Sequence, residues 1–196
     1  RQPVRSMRWP VLIWWLYTPG VAALALGMGV ASPPLLAIGA SAVVLALFAY
    51  GVLLGVNLVG ARGMPVVVAH GWTALASLLL ALATALSLAF TYLGAPLIDR
   101  STGLALHVVF AAYGFMGMLA LGLSYILVPM FALAVTPHEK RALISCALAA
   151  LALALAGAAA LGLAPQPLRV AAVLAAAVAI ALHLRLMAVA LKTGMR

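Results

Sequence analysis

The chain has 196 residues, 68% of them apolar and 7% charged, with eleven Lys and Arg against two acids and a formal net charge of +9. A soluble domain carries roughly 25% charged residues, so this composition lacks the polar surface that a water-facing globule needs. The basic balance would suggest nucleic acid in a soluble protein, but here the cations sit between long apolar runs, where Lys and Arg meet anionic lipid headgroups; the expected partner is the lipid bilayer, not nucleic acid.

A helix needs about twenty apolar residues to cross a bilayer, whereas barrel strands read as alternating segments of about ten. The continuous runs of Ala, Leu and Val therefore predict an all-α, polytopic membrane helical bundle. Six spans are expected. The first runs from about Val11 to Ala31, with Pro19-Gly20 as a kink. The chain begins at Arg1 rather than Met, so either its start has been removed or it is a piece of something longer. Arg1, Arg5 and Arg8 before an apolar run resemble a signal peptide, but no small-residue cleavage site follows, and a retained first helix is expected. The second span covers about 34–59, the third about 65–92, the fourth about 104–135, the fifth about 142–163 and the sixth about 168–191. Pro at or near a helix start fits because its missing N–H would have no partner there. Connections are short, so neighbouring spans are expected to be antiparallel within a single transmembrane domain, 1–196.

Cation placement predicts the orientation. Arg1, Arg5, Arg8, Arg62, Lys140, Arg141, Lys192 and Arg196 fall on one side, and Arg100 and Arg169 on the other. The first set marks the cytoplasmic side, with both termini inside. Arg185 lies within the sixth span, near enough to its cytoplasmic end to snorkel. Trp9, Trp14, Trp15 and Trp72 suit an interfacial belt. Cys146 lies inside the fifth span as a small packing residue, and a single cysteine allows no disulfide framework.

Ionisable groups inside a membrane are costly and by default mark function. The spans contain no Asp or Glu, and their ionisable candidates are His70, His107 and His183. His138 falls in a loop, where solvation is expected. By position, His70 lies roughly 8 Å and His183 roughly 13 Å from the cytoplasmic end, while His107 lies in the opposite half. A haem with two axial histidines needs both at similar depth, which His70 with His183 satisfies. At 100° per residue, His107, Gly114, Met118 and Tyr125 share one face of the fourth span, and His70, Ser77, Ala81 and Thr84 share one face of the third. Gly114 lets either a flat macrocycle or another helix approach. Each histidine is either a ligand or a partner in a hydrogen bond between helices. Arg185 either pairs a haem propionate or snorkels, and Asn57 either bonds a ligand or caps the bundle. No Walker loop, GxGxxG, CxxC, CxxCH or HExxH pattern is present, which argues against a self-contained hydrolase or ATPase.

The stretch from Leu106 to Phe131 contains His107, then Gly114-Phe115 seven residues on, then Gly122, Tyr125 and Val128-Pro129-Met130-Phe131. This pattern resembles the NnrS family and, more remotely, haem–copper oxidase subunit I, and His70 is similar to a histidine that those proteins often carry in the preceding span. The signature covers about thirty residues. The resemblance implies haem b, with copper as a second candidate metal, held by intramembrane histidines in respiration or nitric-oxide handling. Family members are usually about twice as long. The adjacent histidine pair of a haem–copper centre is missing here, so oxygen reduction at copper is not expected. The expected cofactor-binding residues are His70, His107, His183, Gly114, Met118, Tyr125 and Arg185, the three histidines being the metal ligands, with a redox partner or further membrane subunits completing the system. The rival expectations are a non-catalytic membrane anchor or assembly subunit and, behind it, a small transporter.

Overall fold

In the computed structural model, residues 8–61 and 63–194 are described. Among these the secondary structure is helical throughout: α1 (Arg8–Gly29), α2 (Pro33–Gly60), α3 (Pro65–Tyr92), α4 (Arg100–Val108), a π-helical segment (Val109–Gly117), α5 (Met118–Phe131), α6 (Glu139–Ala160) and α7 (Pro165–Gly194). Six runs are long and apolar enough to cross a bilayer, the fourth being the 32-residue stretch Arg100–Phe131. The chain is thus a multi-pass membrane protein. Its outward side chains suit lipid contact; Val56, Val173 and Phe131 are each at least 67% exposed. Of the cations that set the predicted orientation, Arg1, Arg5, Arg62 and Arg196 lie outside the described residues.

The helix boundaries follow local chemistry more closely than hydropathy does. α3 has the predicted bounds, with Pro65 at its first position. The fourth span begins at Arg100 rather than Leu104, because Asp99 caps it: the carboxylate accepts the Thr102 N–H at 3.0 Å and the Ser101 hydroxyl. It ends at Phe131 rather than Val135. There Ala132 N–H bonds Val128 O, Ala134 N–H bonds Pro129 O, and Leu133 turns to a φ of 51°. α1 continues through Pro19. α6 starts at Glu139, behind an extended His138, so a carboxylate occupies the first turn, where the helix dipole favours it.

The fourth span differs most from expectation. It is not one α-helix, because Val109–Gly117 is π-helical. Hydrogen bonds from i to i+5 put more residues in each turn. The predicted 100° register between His107 and Met118 is therefore not kept.

The chain divides into two compact units. One takes the described residues up to Leu54 together with Leu79–His107. In it α1 and α2 pack backbone to backbone: a Cβ on Gly27 would meet Leu36 N at 2.7 Å. The other takes Gly55–Leu78 and the described residues from Val108 onward. In this second unit α6 lies along α7, pinned by the Ser145 hydroxyl donating to Ala179 O at 2.9 Å. The Phe110 ring reaches Gly157, where a Cβ would stand 2.8 Å from its Cζ.

The bonds from Ser101 and Thr102 hold the Asp99 carboxyl below its ordinary range. A carboxyl lowered on folding contributes stability above its unfolded pKa and loses it as pH falls through the folded one. Hydrogen exchange at the Thr102 amide is therefore expected to be protected at neutral pH and to lose protection, beyond the intrinsic trend, only on acidification below the usual carboxylate range. Asp99→Ala should remove that protection at every pH.

Candidate functional site

The second unit buries three ring side chains in contact. α3 carries His70, 1% exposed, whose Nδ1 lies 2.8 Å from Val66 O. A carbonyl only accepts, so Nδ1–H is the donor and the neutral ring keeps its lone pair on Nε2. The imidazole rests on α5 at Gly122, where a Cβ would stand 2.7 Å from His70 Cβ. One turn on, Tyr125 places its ring centroid 5.5 Å from that of His70, tilted by 49°. The same phenol meets His183 of α7 at 5.0 Å, edge to face at 86°. Ala142, Leu186 and Met187 pack around Tyr125.

The polar atoms of this cluster are only partly satisfied. His183 Nε2 lies 3.4 Å from Ser124 Oγ, and the Ser124 hydroxyl is already donated to Leu121 O at 2.6 Å. The imidazole therefore donates Nε2–H, and Nδ1 carries the lone pair. That Nδ1 is buried and has no hydrogen-bond partner among the described residues, and the same holds for the Tyr125 hydroxyl. A buried polar group left without a partner costs about 1–3 kcal/mol in an apolar interior.

His107 sits in the first unit. Its Nδ1 is 3.0 Å from Ala81 O and 3.3 Å from Thr84 Oγ1. Donation to the carbonyl again leaves the Nε2 lone pair on the outer side of the ring. The ring is half-buried, unlike those of His70 and His183.

Depth along the spans makes His70 and His183 compatible as a pair, and the structure brings both against Tyr125. Both imidazoles contact the Tyr125 ring, His70 at 5.5 Å and His183 at 5.0 Å between centroids. Gly114 takes the helix-approach role, since a Cβ there would lie 2.5 Å from Ser77 Cβ. Met118 is 1% exposed and packs with Ala74 and Cys146 in a separate cluster. Arg185 is exposed, on a different face of α7 from His183. No group of three or more His, Cys, Asp or Glu among the described residues converges on a metal position, so the donor set for copper is not assembled from them. Ser124 and the π-helical segment were not anticipated. A serine beside a signature tyrosine carries no distinguishing pattern, and Val109–Gly117 reads as ordinary apolar helix. Comparison with known family models, curated proteins and solved structures finds no match to this chain.

Two substitutions test this geometry by thermal unfolding in detergent. Gly122→Ala drives a methyl into His70 and should cost about 1–3 kcal/mol. Tyr125→Phe deletes an unpartnered hydroxyl and should leave stability unchanged or raise it by about 1 kcal/mol; a clear loss would mean that the hydroxyl has a partner in the working protein.

Proposed function

We propose that this chain is a haem b-binding protein of the bacterial cytoplasmic membrane, with both termini inside, serving electron transfer, respiration or nitric-oxide handling. The supporting observation is the posture of His107. Metal-ligating histidines donate one ring N–H to a carbonyl or similar acceptor, which fixes the ring and raises the basicity of the other nitrogen. Ala81 O and Thr84 Oγ1 do this for His107, so the lone pair of its half-buried ring lies on Nε2. Haem bound there would supply a one-electron couple or an open axial position for a small gas. His107 would hold the iron, and Ala81 O and Thr84 would orient the ring. His70 meets the same tautomer requirement through Val66 O but is enclosed, and both it and His183 pack against Tyr125. Arg185 remains a candidate only for charge pairing at the membrane surface.

A second reading has its own support. His70, Tyr125 and His183 fill their space with protein, as they would in a non-catalytic subunit that anchors or assembles a larger complex. The two readings part on a spectrum. Haem reconstitution of the purified chain should give a Soret band with one haem per chain. His107→Gln should abolish it, His183→Gln should retain it, and Thr84→Val should weaken haem retention by less than His107→Gln. A helical chain by circular dichroism with no Soret band at any haem concentration favours the anchor reading instead.

A further inference from the structure

A cavity of about 430 Å³ opens where the segment before α6 meets the last turns of α7. It adjoins the Tyr125 cluster, with which it shares Leu182 and Leu186. Its polar wall is basic: His138, Arg141 and Arg185 line it, and no acidic residue does. Neither arginine has an acidic partner among the described residues. The remaining wall is aliphatic, including Ile144, Leu182 and Val189.

We propose that this cavity binds one anionic phospholipid, the phosphodiester held by Arg141 and Arg185 and an acyl chain lying along Ile144, Leu182 and Val189. Guanidinium groups present paired N–H donors that match phosphate oxygens. Two unpaired cations above an aliphatic wall complement an amphiphile with one negative head and an apolar tail. A soluble anion would use the cations and leave the wall exposed, whereas a zwitterionic lipid would bring its own cation against them. Basic pockets between membrane helices recognise anionic headgroups by this chemistry.

The test is native mass spectrometry of the full chain in detergent, titrated separately with phosphatidylglycerol and phosphatidylcholine. Phosphatidylglycerol should be retained selectively, at one per chain above background. Arg141→Gln and Arg185→Gln should each weaken its retention roughly fivefold, from about 1 kcal/mol per cation near the surface. Ile144→Trp, which fills the apolar wall and leaves both cations in place, should also lower it. If an arginine variant fails the circular dichroism check for folding, the Trp variant decides alone. Equal retention of the two lipids, or retention unchanged in the folded variants, overturns the proposal. So does millimolar inorganic phosphate that displaces the lipid completely, since the site would then be one for a free anion.

Discussion

In hydrocarbon a polar atom finds its partner within the protein or stays unpaired, and that constraint shapes this chain at every scale. For the backbone it selects helices of 22 to 32 residues, each bonding its own peptide groups. For side chains it selects return bonds to the helix's own carbonyls: Thr73 to Ala69, Thr84 to Leu80, Thr91 to Ser87, and the His70 imidazole to Val66. Where a partner lies on another helix, as for Ser145 on Ala179, the bond also fixes the packing. Against that background the exceptions stand out. Among the described residues, the buried side-chain atoms left without partners are Ser87 Oγ, Tyr125 Oη and His183 Nδ1. Two of the three belong to rings in contact.

Close packing in lipid has no hydrophobic drive between helices and depends on shape. Glycine supplies the shape here by letting a neighbour occupy the space of its missing side chain. Ser77 fills that space at Gly114, His70 at Gly122 and Phe110 at Gly157. The π-helical segment between Val108 and Met118 works alongside them. By putting more residues in each turn, it changes which side chains of the fourth span face the interior after it. Gly114, Met118, Gly122 and Tyr125 are all buried. Segments of this kind are rare and often mark functional sites, and this one begins two residues after His107.

The membrane architecture was legible in the sequence because composition alone decides it, and α3 was legible to the residue because Pro65 fixes its start. The other helix ends were less so. Asp99 as a cap, and the left-handed turns at Ala31, Leu133 and Ala164, are set by a few local bonds and φ angles that hydropathy does not see. The meeting of His70 with His183 followed from depth. The contact of Tyr125 with both did not, since the face of Tyr125 was reckoned from His107 at 3.6 residues per turn, across nine residues that do not keep that period.

That contact bears on where a metal ligand could be held. His70 and His183 both touch the Tyr125 ring, which packs among Ala142, Leu186 and Met187, so any ligand that displaces that ring has to empty its site. Emptying a buried aromatic site costs about 3–5 kcal/mol, before any cost of parting His70 from Gly122. His107 carries no such debt. Its ring is already oriented by an acceptor on another stretch of chain and is half-buried. If iron is held by a histidine of this chain with the packing intact, His107 is the one whose ring is already oriented by a carbonyl and is half-buried rather than enclosed.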